Sequence, residues 1–190
     1  LSIYMDNQTQ EGTKNMQKRH TDRESYFDEQ SQTSKNYYIP YIKEVIGHIP
    51  DKVLEVGCGE GGNLLPFAEA GCRVMGVDID ATRIEQARTF FAQRHQQGQF
   101  IATDIFQLKD KATNFPLILL HDVIEHIRDK ERFFSGLQEH LSADGAVFVG
   151  FPAWQMPFGG HQQIAHSHIV SHFPFLHLLP RTLYRWIRSE

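Results

Sequence analysis

Val53-Leu54-Glu55-Val56-Gly57-Cys58-Gly59-Glu60-Gly61-Gly62 is the stretch on which the reading of this chain turns. A short run of strand-type residues ends in four glycines within six positions. Leu64, Leu65 and Phe67 then follow at helical spacing until Gly71 stops them. The order is strand, glycine-rich turn, helix. Glycines let a backbone turn tightly and come close to a ligand, and the first turn of a helix presents unbonded N–H groups.

Outward from that stretch, strands and helices alternate. Tyr38, Ile42, Val45, Ile46 and Ile49 precede it at helical spacing, with Pro40 suited to a first turn and Pro50 closing the segment. Arg73 to Val77 reads as a second strand. Ala81 to Arg94 reads as a helix whose inner face is Ile84, Ala87, Arg88 and Phe91. Phe100 to Ala102 is a third strand. Leu117 to Leu120 is a fourth, wholly apolar, as parallel strands covered on both faces tend to be. Asp129 is placed to cap a helix carrying Phe133, Phe134, Leu137 and Leu141. Ala143-Asp144-Gly145 is expected to turn into a fifth strand, Ala146 to Phe151. Crossovers this short imply an α/β fold with a parallel sheet wound by helices. The division expected is a polar N-terminal arm over 1–35, a core over 36–151, and an aromatic, His-rich region over 152–190.

Asp78 closes the second strand, about twenty residues after the first glycine, where a carboxylate can accept bonds from ribose hydroxyls. Gly57, Gly59 and Gly62 also satisfy the G-x-G-x-x-G of dinucleotide enzymes, so the spacing alone leaves two nucleotide ligands open. Three features weigh against a nicotinamide dinucleotide. Glu55 puts a charge inside an apolar strand, which is costly unless a cationic group faces it; an amino group on the ligand would. Asp104 ends the third strand, where it could receive an adenine amino group. Five strands also leave no room for a dehydrogenase's substrate domain.

The segment from Val53 to Phe151 resembles the class I S-adenosylmethionine-dependent methyltransferases. The matching motifs are Glu55-Val-Gly-Cys-Gly-Glu-Gly, Val77-Asp78-Ile79-Asp80, Thr103-Asp104-Ile105, and His121-Asp122-Val123-Ile124-Glu125-His126. They occur in the family's order and are nearest to those of ubiquinone-pathway O-methyltransferase-like members. The resemblance implies a Rossmann-like three-layer sandwich and S-adenosylmethionine as cofactor. It implies that Glu55 and the backbone of Gly57, Cys58, Gly59 and Gly61 hold the methionine end. Asp78 would hold the ribose, with Ile79 against the adenine. Asp104 and Ile105 would meet the adenine edge and face, and His121 would lie beside the sulfonium. The activity implied is methyl transfer to a small-molecule or lipid-like acceptor, at oxygen before nitrogen or carbon. The rival readings are a binding protein that has lost turnover and an NAD-dependent reductase.

Asp122, Glu125 and His126 also match a metal-binding pattern of some family branches. Two oxygens and an imidazole there would hold a divalent ion. Many members carry the same stretch without metal, and that reading is preferred. His126 and His161 are the candidates for a general base, although positioning supplies most of the acceleration in methyl transfer. Five of the 11 histidines lie between His161 and His177, interleaved with Phe, Leu and Pro. That region is expected to form a lid over the acceptor site. At its end, Arg181 to Ile187 reads as a helix packed on the sheet, with a membrane-facing or partner-binding face as second choice. The family's sheet carries strands beyond these five, so the chain is expected either to continue past Glu190 or to be a shortened variant.

The net charge of -4 gives no argument for nucleic-acid binding. No apolar run approaches the ~20 residues of a membrane span. Cys58 and Cys72 cannot form a disulfide framework, and both sit among core-type residues, so a reduced, cytoplasmic setting is expected.

Overall fold

A computed structural model describes residues 22–108, 113–152, 156, 174–180 and 182. Residues from Asp22 to Gly150 belong to one compact unit, and the described residues from Phe151 onward belong to another.

The first helix, α1 (Arg23–Thr33), starts well ahead of the apolar periodicity. Asp22 caps it by accepting from the Ser25 N–H at 3.0 Å. The chain continues through one turn of π-helix, Ser34–Tyr38, into α2 (Ile39–Ile46), which stops at Gly47 with φ 83°. The expectation of a polar arm over 1–35 is therefore corrected from Arg23 onward. The composition is polar, but Phe27 is completely buried, against Phe90 and Phe91 at ring distances of 5.1 and 6.3 Å. Arg94 ties the outer face down through Asp28 at 2.6 Å and Glu24 at 3.5 Å.

Five strands follow: β1 (Lys52–Val56), β2 (Arg73–Asp78), β3 (Gln99–Ala102), β4 (Phe115–His121) and β5 (Leu141–Gly150). Their order in the sheet is β3-β2-β1-β4-β5 and every pairing is parallel. Between them lie α3 (Leu65–Glu69), α4 (Ala81–Gln93) and α5 (Lys130–Gln138). Asp80 and Asp129 cap α4 and α5 with their carboxylates.

Side chains alternate across the sheet and build a core on each face. Val53, Val74, Leu117 and Leu119 pack with Phe27, Ile42, Phe67 and Phe91. Leu54, Met75, Ile118 and Leu120 pack with Phe133 and Leu137 of α5. This is the expected three-layer, Rossmann-like sandwich. Three details differ: Arg88, expected on the inner face of α4, is exposed, and Leu141, expected on the helix that Asp129 caps, opens β5 instead. Ala143-Asp144-Gly145 is not a turn before β5 but a bulge within it, because Phe115 pairs with Leu141 while Leu117 pairs with Ala146.

In the second unit, the described part is a turn at Pro174-Phe175 and a short 3-10 turn, Leu176–Leu178. His161, and all of Arg181 to Ile187 except Thr182, lie outside the described residues.

Candidate functional site: the glycine loop at the carboxyl ends of the strands

Where β1 ends, the chain crosses over the end of β2. The N–H groups of Gly57 and Cys58 both donate to the Val77 carbonyl, at 2.8 and 3.1 Å. Gly57 has φ 73°, a left-handed conformation that disfavours side chains. A Cβ there would also stand 2.4 Å from a methyl of Val123, so the position accepts only glycine without rearrangement. Gly59 and Gly61 are left-handed as well.

The loop walls a cavity of ≈ 140 Å³. It lies at the carboxyl ends of the strands, where open α/β sheets bind ligands. Of the residues singled out in the sequence, the wall holds Gly57, Cys58, Gly59, Asp78, Ile79 and Ile105. It also holds His121, Asp122 and His126. Asp78 is fixed at both oxygens: Oδ2 accepts from the Gly59 N–H at 2.8 Å and Oδ1 from the Asp80 N–H at 2.9 Å. Its carboxylate thus holds the glycine loop and stands in the cavity wall together.

Glu55, Gly61 and Asp104 are not on the wall. Asp104 caps a 3-10 turn by accepting from the Phe106 N–H at 3.1 Å, and its neighbours Thr103 and Ile105 face the cavity instead. Glu55 sits behind the loop, 1% exposed. Its Oε1 accepts from the Asn63 side-chain amide at 2.8 Å, and its Oε2 has no partner among the described residues. Burial pushes its pKa up to about 8; the Asn63 bond opposes this and the nearby Asp78 charge adds to it. Burial also pushes the Cys58 thiol well up, so it is no ready thiolate.

At the end of β4, His121 Nδ1 is 3.8 Å from Asp122 Oδ2. Asp122 is held at φ 53°, with its N–H donating to the Gly150 carbonyl at 3.0 Å. The ring of Tyr38, from the π turn, lies 5.7 Å from that of His121 and 4.8 Å from that of Phe148. Burial, then Asp122 and Glu55, push the Tyr38 hydroxyl up to about 12.

The metal pattern does not assemble. Among the described residues, no group of three His, Cys, Asp or Glu side chains is arranged to hold a metal ion. The Asp122 side chain is 48% exposed beside His121, while both Glu125 carboxylate oxygens are buried with no hydrogen-bond partner among the described residues. These donors do not converge.

Sequence reasoning missed the contribution of α1. Tyr26 and Gln30, one helical turn apart, line the cavity, as do Glu60, Arg83 and Phe133. Glu60 is 1% exposed and is ion-paired with Arg23 at 3.3 Å and Arg83 at 3.6 Å. The available signal was an aromatic pair, Tyr26-Phe27, four residues after a capping aspartate.

Residues 54–147 match a methyltransferase domain family. The ubiquinone biosynthesis O-methyltransferase of Bartonella quintana is 32% identical over 118 residues, 60% of this chain and 48% of that protein. Its counterpart in Brucella ovis is 34% identical over 98 residues, 52% of this chain and 40% of that protein. The chain thus spans about half the length of the curated relatives it matches. Among solved structures, PKMT2 of Rickettsia typhi in complex with AdoHcy superposes with a TM-score of 0.53 at 29% identity. The superposition covers 61% of this chain and 25% of that one. The plantazolicin methyltransferase BpumL shares the fold at a TM-score of 0.62 and 17% identity, over 90% of this chain and 62% of that one. Residues 54–147, just under half of the chain, thus resemble a methyltransferase domain, and their parallel sheet has the Rossmann-like fold of these solved methyltransferase structures.

Proposed function

We propose that the chain transfers a methyl group from S-adenosylmethionine to a small-molecule or lipid-like acceptor, at an oxygen. The observation that carries the cofactor half is Asp78, whose carboxylate holds the Gly59 N–H at 2.8 Å and faces the cavity. It would receive the ribose hydroxyls. Ile79 and Ile105 would flank the adenine, with Thr103 beside its edge. The Gly57–Gly59 backbone and Glu55 would hold the amino-acid end, and His121 would stand beside the sulfonium.

When bound, the cofactor supplies a methyl carbon on a cationic sulfur, already a good leaving group. What remains for the protein is alignment and exclusion of water. The rigid loop, fixed to β2 by three hydrogen bonds, supplies alignment. Phe133, Val123 and Ile127 give the cavity its apolar wall. A hydroxyl acceptor must lose its proton, and His126 on the wall is the candidate base, with His161 as the second. No step through a metal is derived, because the candidate ligands do not converge. The oxygen preference rests on the O-methyltransferase relatives. Among the described residues no helix is long and apolar enough to cross a membrane. The cytoplasmic setting is proposed from the two buried, unpaired cysteines.

Calorimetric titration with S-adenosylhomocysteine, with NADH as control, tests the cofactor half. Binding of the former alone, lost in Asp78→Ala, supports the proposal. Binding of neither by a folded chain, or of NADH in preference, overturns it. Turnover with phenolic and lipid-like acceptors then tests the transfer.

A further inference from the structure

His121 ends β4 and stands on the cavity wall. Most of its imidazole is already hemmed in. Nδ1 lies 3.8 Å from Asp122 Oδ2. Cδ2 lies against Gly150 of β5, where an added Cβ would stand 3.1 Å from it. The ring of Tyr38 packs on the imidazole at 5.7 Å, tilted by 44°. The Cε1–Nε2 edge is the part left to meet the cavity. In the neutral ring the Asp122 carboxylate favours the proton on Nδ1, which leaves Nε2 its lone pair.

Tyr38 reaches His121 from outside residues 54–147, and an irregularity of the backbone brings it there. Tyr26, Gln30, Ser34 and Tyr38 recur at every fourth position. The first two line the cavity, the third donates to the Asn63 carbonyl at 2.8 Å, and the fourth meets His121. In a regular α-helix residues four apart drift around the axis, because a turn holds only 3.6 residues. The π turn Ser34–Tyr38 is wider and takes up that drift; the Ile39 N–H closes it by donating to the Ser34 carbonyl, five residues back. Such turns recur at functional sites. The Tyr38 ring is backed in addition by Phe148 at 4.8 Å. Burial, with Asp122 and Glu55 nearby, pushes its hydroxyl up to about 12, so the residue acts as a ring and not as a charge.

We infer that Tyr38 is a positioning residue: its ring holds the His121 imidazole so that Nε2 faces the cationic sulfur of S-adenosylmethionine, and the site thereby favours the methyl donor over its neutral product. The inference rests on the cofactor reading proposed above and adds to it one residue, the turn that carries it, and a selectivity. A lone pair beside a cation gains Coulomb energy that a neutral thioether does not offer.

The test joins a ligand ratio to a spectroscopic signature. S-adenosylmethionine and S-adenosylhomocysteine are titrated by calorimetry into the wild type, Tyr38→Leu, Tyr38→Phe, His121→Ala and the double variant of Tyr38→Leu with His121→Ala. An aromatic contact of this kind corresponds to about three- to tenfold in affinity. Tyr38→Leu is expected to weaken the donor by about that factor and the product by less than about twofold. Tyr38→Phe keeps the ring and is expected to restore the ratio. In the His121→Ala background Tyr38→Leu is expected to change the ratio no further, because Tyr38 acts through the imidazole. The imidazole signals in the NMR spectrum, assigned to His121 by their loss in His121→Ala, are expected to move in Tyr38→Leu and to return in Tyr38→Phe. Unmoved His121 signals overturn the inference, as does equal weakening of both ligands, which would mean a packing role. A further fall of the ratio in the His121→Ala background, or no rescue by phenylalanine, overturns it as well. Tyr38→Met is made in parallel and takes the place of Tyr38→Leu if a thermal melt shows that leucine unfolds the chain. A wild type that binds both ligands, with a ratio that Tyr38→Leu leaves unchanged, sinks this inference alone. A wild type that binds neither sinks the cofactor reading and the selectivity built on it.

Discussion

Replacing Glu55 by glutamine isolates one buried carboxyl in the core. In the folded chain burial raises the Glu55 pKa from the ordinary 4.5 to about 8. Between those values the folded state holds a proton that the unfolded state has released. Stability therefore falls as pH rises, with a slope near 1.4 kcal/mol per pH unit for this one group. The loss begins near pH 4.5, is complete near pH 8, and sums to roughly 5 kcal/mol as an upper figure. Above that range the carboxylate is ionised in both states and the deficit stays constant. Glutamine keeps the shape and still accepts from Asn63, but carries no proton to lose. The assay is urea denaturation of both proteins at a series of pH values across the interval. The other titratable groups are common to both proteins. The difference curve reports Glu55. The two stabilities should coincide at the acid end, and the variant should gain steadily toward the alkaline end. Parallel curves, or a gap that opens toward acid, would refute the account of Glu55 as a buried, protonated carboxyl. Saturation with a ligand carrying an ammonium should narrow the alkaline gap, because a cation lowers the Glu55 pKa.

Phe27→Ala should cost about 3–5 kcal/mol, the range for deleting a fully buried ring, read as a lowered melting temperature; a cost under about 1 kcal/mol would mean that α1 is not docked through it. Gly57→Ala should abolish cofactor binding in a chain that still folds. The left-handed backbone alone costs about 1–2 kcal/mol, and the methyl overlaps Val123; unchanged S-adenosylhomocysteine affinity by calorimetry would contradict the loop geometry. Cys58 should resist thiol reagents in the native chain and react only as fast as the protein opens, since the residue is 2% exposed and its pKa is raised well up. Rapid labelling of Cys58 in the native state, read by mass spectrometry, would show the loop to be open.

The sheet was legible because its strands break no local rule. Leu117 to Leu120 is apolar at every position, and the structure buries it on both faces. Asp129 looked like a cap and is one. Two of the misreadings have plain physical causes. Turn residues at Ala143-Asp144-Gly145 signal a change of direction, but the pairing of β5 with β4 on either side of them absorbs the extra length as a bulge, a tertiary outcome with no local mark. α1 was read as an arm because helical periodicity needs several apolar residues to register, and this helix is anchored by a single one, Phe27, with Ser31 and Ser34 buried where the backbone comes close. Most of its remaining side chains are charged or polar because that face meets solvent, and Tyr26 and Gln30 face the cavity. Polarity in a sequence thus has two sources, water and a ligand, and composition cannot separate them. Glu55 separates them, since it sits in the middle of the sheet where water is excluded. Its place in Val53-Leu54-Glu55-Val56 is unfavourable for a carboxylate, which persists there protonated or with a partner for its charge. A hydrogen bond from Asn63 satisfies one oxygen. The other has no hydrogen-bond partner among the described residues, and on the reading proposed above the cofactor's amino group would give it one.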